Sequence, residues 1–474
     1  MKILLYLNII IPILASLCSF IRIETLKMIA INISGLLLVI NNFLILKFNT
    51  GISVVLANIL DGYEIKLTVE PFAIIFALMV SILYSITNLY SFAYIKAQQR
   101  VSLDHDLNPR IHFFFMPLCI LAALNLGYSA NLLTMFIFYE LITLSTYPLV
   151  IQSFTDHAKK SGKYYLWMLF GSSSFFLLVA IVYIDYKYGI TNFKLGGIFN
   201  SNIDIKEFIF LLICFVFGLS KTAIFPLYEW LPRAMVAPIP VSALLHAVAV
   251  VKSGIFALIK IFMYFFGIDY LRRIHEISPI SIDWLSLLAC FTIIFAGIRA
   301  CLEDNIKKIL AYSTIAQLSY MILVLSLNYD SSNAMLLMLS HSIAKITLFF
   351  IAGIIFASLH IVNVSEMKGI IRILPAPVIL FILASFSIIG LPISAGFITS
   401  SLLLNSIPHD TIIGSIAFSC IILSKLLACF YFFKIIFTML EPNPEIIKLD
   451  YKPKHLTYIS FATYSLSALF SYYF

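Results

Sequence analysis

The chain has 474 residues, of which 61% are hydrophobic and only 11% are charged. Soluble globular domains carry about 25% charged residues, so this composition excludes a soluble protein. The formal net charge of +8 is not gathered into a dense basic block with interleaved aromatic residues, and we therefore expect no nucleic-acid partner.

Apolar segments long enough to cross a bilayer, about 20 residues each, recur from one end of the chain to the other. Backbone polar groups in lipid must be paired within the chain, and these segments lack the two-residue alternation of barrel strands. We therefore predict an all-α integral membrane protein with about 14 transmembrane helices. The expected spans are 3–20, 27–48, 71–95, 111–128, 130–151, 164–186, 208–226, 239–264, 282–299, 306–327, 333–359, 376–400, 411–438 and 456–473.

Lysine and arginine concentrate in the connections that follow odd-numbered spans, as with Lys159, Lys160 and Lys163 after span 5. Because positive residues favour the cytoplasmic side, both termini are predicted to be non-cytoplasmic. The first apolar segment is not followed by a small-residue cleavage site, so we expect a retained helix and not a signal peptide.

The sequence offers no motif for redox or metal chemistry. Its seven cysteines are scattered and form no CxxC pair. It also lacks a glycine-rich phosphate loop, a dinucleotide fingerprint and a cluster with metal-ligand spacing. We expect no catalytic residues, no metal and no cofactor, so that any redox chemistry belongs to a partner.

Proline and glycine interrupt two apolar regions in related ways, GLSKTAIFPLYEWLPRAMVAPIPVSALLH (218–246) and GLPISAGFITSSLL (390–403). Paired breaks of this kind are typical of transporters built from inverted repeats. We therefore expect two inverted five-helix repeats, spans 4–8 and 9–13, with broken helices in spans 7 and 12. The alternative is that Pro and Gly are simply common in membrane helices.

Glu140 lies in the middle of an otherwise uncharged apolar stretch, Asn131–Ile151. Burying a charge in hydrocarbon is costly, and such residues usually mark ion or proton pathways. Lys221 stands just before the interruption at Pro226, where freed backbone groups can be hydrated. The structural alternatives are a fixed ion pair for Glu140 and a lysine that snorkels to the interface for Lys221.

Four more titratable groups occupy later spans, and a fifth is less readable. His246 and Lys252 are six residues apart, about 240° of a regular helix, so they serve two ends of a lateral path or are realigned by a π-bulge. His341 and Lys345 are four apart and share a helix face, which suits a proton relay, although a structural cation pair is the alternative. Lys425 is also within a span, and its direction cannot be read from the sequence.

Several stretches of the chain resemble a known family. The run KTAIFPLYEWLPRAMVAPIPVSALLHAVAVVKSGIF (221–256) is similar to the signature of the proton-conducting antiporter-like membrane subunits. This family includes the D-type component of Mrp-type multisubunit Na⁺/H⁺ antiporters and the antiporter-like subunits of NADH–quinone oxidoreductase (complex I) and membrane hydrogenases. The resemblance covers roughly 110–405, with further matching stretches at 131–150, 304–323 and 340–353 and a weaker one at 390–403.

The resemblance implies that each inverted repeat is a proton half-channel. Glu140 resembles the family's span-5 glutamate, Lys221 its partner lysine and Lys252 the central lysine of span 8. The positions of the family's central polar axis are matched by His246, His341 and Lys345. The implied mechanism is that the charge of Glu140 controls protonation of Lys221, after which the proton passes Lys252 and the central axis towards the second half-channel.

One position departs from the family pattern. After the Gly-Phe of the second broken helix the family carries lysine or glutamate, and this chain has Ser400. Either the proton leaves through water and another group, with Lys425 as the candidate, or the protein no longer pumps. The chain also ends at 474 without the long lateral helix of the largest complex I antiporter-like subunit, so we expect one of the shorter subunits.

The sequence thus predicts a proton-translocating subunit of a multisubunit Na⁺/H⁺ antiporter, most like the Mrp D-type component, in a bacterial inner membrane. Its expected partners are other membrane subunits, lipid, H⁺ and Na⁺. The alternatives are a membrane-arm subunit of NADH–quinone oxidoreductase and a non-conducting structural subunit. The expected organisation is N-terminal helices in 1–110, the first repeat in 111–264, the second repeat in 265–440 and a C-terminal helix in 441–474.

Overall fold

A computed structural model describes residues 2–48, 51–60, 62–101, 108–189, 192–199, 204–392, 394–442 and 453–473. Residues 443–452 of the expected C-terminal segment, 441–474, lie outside these ranges. Among the described residues, eleven helices are long and apolar enough to cross a membrane. The prediction of an all-α integral membrane protein is confirmed.

Nineteen α-helices follow one another in the described part of the chain. They are α1 (Lys2–Leu17), α2 (Glu24–Phe48), α3 (Pro71–Val101), α4 (Pro109–Gly127), α5 (Leu132–Val150), α6 (Asp156–Ser172), α7 (Leu178–Tyr188), α8 (Ile205–Gly218), α9 (Trp230–Arg233), α10 (Ile239–Ala243), α11 (Val250–Lys260), α12 (Ile268–Ile277), α13 (Ile280–Leu302), α14 (Ile306–Leu327), α15 (Ser331–Leu359), α16 (Pro375–Ile389), α17 (Ala395–Asn405), α18 (Ile412–Leu440) and α19 (Lys454–Tyr473).

Each of the predicted spans coincides with helical structure. Span 7 contains α8, which ends early, and span 12 contains the two short helices α16 and α17. The predicted breaks in these two spans are therefore present. Within the described ranges, other helical segments are interrupted by three π-helical turns, Ser173–Leu177, Leu244–Val248 and Ile261–Phe266.

A β-hairpin between α2 and α3 was not predicted. Strand β1 (Ser53–Leu60) pairs antiparallel with β2 (Tyr63–Thr68). The hairpin lies against the connection from α4 to α5, where the amide of Thr68, at the end of β2, donates to the Tyr128 carbonyl oxygen at 2.7 Å. The Asp61-Gly62 dipeptide between two β-rich runs is a hairpin signal, which a search for long apolar runs overlooks.

The chain divides into two compact units. The first comprises Met1–Ser85, Asn108–Trp230 and Ala249–Leu285. In it α4 packs between α1 and α5, and α11 packs on α4 and α5. Asparagine side chains start the two central helices: Asn108 accepts from the amides of Arg110 and Ile111, and Asn131 accepts from Thr134.

The second unit comprises Ile86–Leu107, Leu231–Val248 and Ser286–Phe474. Its central element is α15, which packs against α10, α14, α16, α17 and α19. Most of α15 is buried on all sides, as expected for a helix that is apolar all round.

Candidate functional site

Lys221 lies where the helix of span 7 breaks. After α8 ends at Gly218, the chain makes a short 3-10 turn, Ser220–Thr222, and Ala223 takes a left-handed conformation with φ of 54°. Pro226 follows a few residues later and cannot donate a helical hydrogen bond. The break therefore holds a fully buried lysine on a short 3-10 turn inside the first unit.

The Lys221 side chain reaches the peptide that joins Tyr139 to Glu140. Its Nζ donates to the Tyr139 carbonyl oxygen at 2.9 Å and lies 3.2 Å from the centroid of the Tyr139 ring. The Lys221 amide donates to the Tyr139 hydroxyl at 3.0 Å. Tyr139 thus binds the lysine at three points, one of them a cation–π contact.

Glu140 is 7% exposed in the middle of α5, as its position in the apolar stretch predicts. Its carboxylate is near enough to Lys221 to interact with it electrostatically. Ser173 is also close, but its hydroxyl donates to the carbonyl oxygens of Leu169 (2.9 Å) and Phe170 (3.0 Å). Among the described residues, neither Glu140 oxygen accepts a well-formed hydrogen bond.

Neighbouring elements fix the turn that carries Lys221. The Trp230 indole donates to the Ser220 carbonyl oxygen at 3.1 Å, and Ser172 donates to the Ser220 hydroxyl at 2.5 Å. Helix α11 approaches the turn at Gly254, where a Cβ would fall 2.7 Å from the Thr222 nitrogen. Lys252, fully buried, stands two residues before this point of contact.

The remaining predicted relay residues belong to the second unit. His246 lies in the π-helical turn Leu244–Val248, so the π-bulge expected as one of two alternatives is present. Its ring centroid is 4.8 Å from that of Phe349 on α15. His341 and Lys345 are both buried on α15, and Lys345 donates to the Leu310 carbonyl oxygen at 3.0 Å and to the Ser313 hydroxyl.

The two candidate exit positions also lie in the second unit. Ser400 is on α17, within the second broken span, and Lys425 is half-buried on α18. Both side chains point to the break that separates α16 from α17, at Gly390.

One buried ion pair was missed from the sequence. Lys260, fully buried in α11, lies 3.1 Å from a carboxylate oxygen of Glu70, the residue before α3. Its Nζ also donates to the carbonyl oxygens of Gly127 (3.2 Å) and Ser129 (2.5 Å). The signal was available, because Lys260 interrupts the apolar run of span 8.

Comparison with known proteins places the chain in a family. Residues 129–424 match the family described as "NADH:quinone oxidoreductase/Mrp antiporter, TM". The chain is 30% identical over 369 residues to the chloroplastic NAD(P)H-quinone oxidoreductase subunit 5 of Gossypium barbadense, covering 74% of this chain and 48% of the relative. It is 28% identical over 410 residues to the same protein of Populus trichocarpa, covering 82% and 51%. The chain thus spans about half the length of the curated relatives it matches.

Two solved structures share the fold. A chain of the Mrp complex from Dietzia sp. DQ12-45-1b superposes with a TM-score of 0.79 at 19% identity, covering 98% of this chain and 50% of that one. A chain of the membrane-bound sulfane sulfur reductase, an archaeal respiratory membrane complex, superposes with a TM-score of 0.83 at 21% identity, covering 100% and 94%. At these identities the similarity concerns the fold.

The family match covers well over half of the chain and contains Glu140, Lys221, Lys252 and the buried pair on α15. The protein is therefore a multi-pass membrane protein of the NADH:quinone oxidoreductase/Mrp antiporter family, whose members include the antiporter-like subunits.

Proposed function

We propose that the chain is a proton-translocating subunit of a multisubunit membrane complex. The observation that carries this proposal is the Lys221 ammonium bound to the Tyr139–Glu140 peptide at a helix break, beside a buried carboxylate. A buried acid and a buried base that sense each other's charge can couple the movement of a proton to an electrostatic change.

In the proposed mechanism Glu140 acts as the charge that controls Lys221. When Glu140 is ionised, its field stabilises the protonated amine, and when that field is removed the amine releases its proton. Lys252, His246, His341 and Lys345 then carry the proton along the family's polar axis. Their roles follow from the resemblance and from their burial in apolar helices.

For the complex itself, we favour a monovalent cation (Na⁺)/H⁺ antiporter in which this chain corresponds to the D-type component. We place it in a bacterial inner membrane with other membrane subunits as partners and with both termini non-cytoplasmic. A membrane-arm subunit of an NADH–quinone oxidoreductase is the second candidate, which the names of the chloroplastic relatives favour. In that case a photosynthetic or respiratory membrane takes the place of the one proposed.

A non-conducting structural subunit is the third candidate, and Ser400 is the observation that favours it. Serine does not titrate in the range in which proteins work, so it cannot take over proton exchange from a lysine or glutamate.

The test is proton movement in everted membrane vesicles that contain the complete complex, followed with a pH-sensitive dye. We expect the native complex to move protons when Na⁺ or K⁺ is added. In the Lys221→Ala and Glu140→Ala variants the rate of proton movement should fall at least about 10-fold, with assembly intact. The matched control is Lys206→Ala, which removes an exposed lysine from the start of α8 and should leave the response unchanged.

The outcomes separate the three candidates. Proton movement on addition of Na⁺ or K⁺ identifies the antiporter. Proton movement on addition of NADH, and none on addition of cations, identifies the redox-driven complex. If Glu140→Ala and Lys221→Ala transport protons at the native rate, the relay assignment is wrong. If the native complex assembles but moves protons with neither cations nor NADH, the result supports the non-conducting structural role.

A further inference from the structure

The break between α16 and α17 brings together groups from three separate parts of the second unit. Helix α16 ends at Ile389, Gly390 takes a left-handed conformation with φ of 84°, and the Ser394 side chain caps the start of α17. The amides of Gly390 and Leu391 both donate to the Phe386 carbonyl oxygen at 2.9 Å. A helix broken in this way leaves backbone polar groups that can be hydrated within a membrane protein.

Lys425 and Ser400 converge on this break. A Cβ built on Gly390 would fall 2.5 Å from the Ser400 hydroxyl oxygen and 3.3 Å from the Lys425 Nζ. Two side chains from different helices therefore end beside the same backbone position. Glycine is required there, both because its φ is positive and because a side chain would occupy the point where the two polar groups end.

Polar contacts connect this point to the helix that carries His341 and Lys345. Ser340, the residue before His341, lies 3.1 Å from the Thr399 hydroxyl, the residue before Ser400. On the neighbouring helix α14, Gln317 donates to the Ile388 carbonyl oxygen at 3.1 Å, just before the break.

A third contact ties α14 to the lysine's own helix. The Tyr320 hydroxyl donates to Ser424 at 2.8 Å, immediately beside Lys425. Polar contacts therefore join α14, α15, α17 and α18 close to the residues that meet at the break.

The Lys425 amine is held differently from the buried ammonium group of Lys260. Lys260 in the first unit has three oxygen partners, since it donates hydrogen bonds to two carbonyl oxygens and forms an ion pair with Glu70. Among the described residues, Lys425 has no hydrogen-bond or ion-pair partner within the protein, although it is half-buried in an apolar helix. An amine without fixed acceptors can lose and regain a proton without breaking a protein contact.

We propose that Lys425 is the proton-exchange group of the second unit and takes over, from α18, the task that Ser400 cannot perform on α17. The protonated Lys425 amine releases its proton to water at the break beside Gly390. The neutral amine then takes up the next proton delivered from the α15 side. Ser400 leaves the space into which the Lys425 side chain extends. This inference rests on the proposed proton-translocating function.

Substitutions at Lys425 test the inference in the same vesicles. The assay uses cations or NADH, depending on which of them causes proton movement in the native complex. Lys425→Met should lower the initial rate of proton movement at least about 10-fold. Lys425→Arg should lower it to the same extent, because arginine keeps the positive charge but does not release its proton. The matched control is Lys434→Met, which removes an exposed lysine from the same helix and should change the rate less than about 2-fold.

A second-site change provides the rescue. Ser400→Lys in the Lys425→Met background returns an amine to the same break from α17 and should restore most of the rate. If Lys425→Met prevents assembly, Lys425→Arg still decides, since it keeps the length and charge of the side chain.

The outcomes separate this inference from the function on which it rests. Suppose that Lys425→Met or Lys425→Arg moves protons at the native rate while Lys221→Ala moves none. This result overturns the exchange role of Lys425 and leaves the proposed function standing. A native rate in Lys221→Ala overturns the proposed function itself.

Discussion

Lys221 and Lys260 are two buried lysines of the first unit whose ammonium groups are held in different ways. Lys260 places its ammonium among a carboxylate and two carbonyl oxygens, so its charge is fully compensated and fixed. Lys221 has one carbonyl oxygen and the face of the Tyr139 ring as direct contacts, and the Glu140 carboxylate acts on it only through space. The second arrangement stabilises the charge less completely, which suits a group that must change its protonation state.

Gly254 sets the position of Lys221, and its substitution tests this close packing. In Gly254→Ala the new Cβ would lie 2.7 Å from the Thr222 nitrogen and 2.8 Å from the Lys221 carbonyl carbon, which are backbone atoms. We expect the turn to shift, with a loss of about 1–3 kcal/mol in stability and slower proton movement. Thermal unfolding of the purified complex and the vesicle assay measure the two effects.

The control is Gly171→Ala on α6, where the nearest atom to a new Cβ is in the Trp167 side chain at 3.4 Å. That change should leave transport intact and leave stability equal or slightly higher, since alanine favours helix. A Gly254→Ala protein with native stability and rate would show that the turn tolerates displacement of Lys221.

At the scale of elements, the Glu70–Lys260 pair joins four segments of the first unit. Glu70 marks the step from the β-hairpin to α3, Lys260 ends α11, and Gly127 and Ser129 belong to the end of α4 and its connection to α5. A single ammonium thus binds the ends of elements that are far apart in sequence, next to the hairpin.

Removing Lys260 should destabilise the first unit strongly. Lys260→Met leaves the Glu70 carboxylate in a nearly buried position without its cation, and breaking a buried pair in this way costs about 3–5 kcal/mol. Thermal unfolding measures the loss. Lys368→Met is the control, because the Lys368–Glu441 pair, although also 3.1 Å long, is half exposed on both sides and should contribute less than about 1 kcal/mol.

Adding Glu70→Gln to Lys260→Met removes the uncompensated charge and should recover part of the stability. Equal losses for Lys260→Met and Lys368→Met would contradict the role assigned to the buried pair.

The elements that the sequence predicts well are those defined by one local property. The spans follow from length and apolarity, and the breaks at Lys221 and Gly390 follow from proline and glycine. The hairpin does not stand out because its strands are much shorter than a membrane span and its sequence signal is a single dipeptide, Asp61-Gly62. Glu140 was found because a lone charge stands out in an apolar run.

Contacts between distant elements are what the sequence leaves open. Tyr139 is one of 25 tyrosines, and nothing local marks it as the residue that binds Lys221. The direction of Lys425 depends on the meeting of α17 and α18 at Gly390, which only the folded chain defines.

For the whole molecule, the family match and the proposed chemistry coincide almost completely. The matched region, 129–424, contains every proposed relay residue from Glu140 to Lys345, together with Ser400. Lys425 follows directly after it. The role proposed for Lys425 therefore rests on the geometry at Gly390 and not on the family match.

Orientation in the membrane is the property of the whole molecule that the sequence predicts most directly, and single cysteines can test it. Lys159→Cys lies near the start of α6, beside its connection to α5, and Asp204→Cys lies at the N-cap of α8; the two positions are at opposite ends of the α6–α7 span, and both are exposed. Because Lys160 and Lys163 remain beside Lys159, the positive bias of that connection survives the substitution.

We expect a membrane-impermeant maleimide to label Lys159→Cys in everted vesicles only and Asp204→Cys in intact cells only. The unsubstituted protein gives the background, since four of its seven cysteines are buried and three half-buried, and permeabilised membranes should label both variants. The reverse pattern would place both termini in the cytoplasm and contradict the orientation predicted from the lysine and arginine distribution.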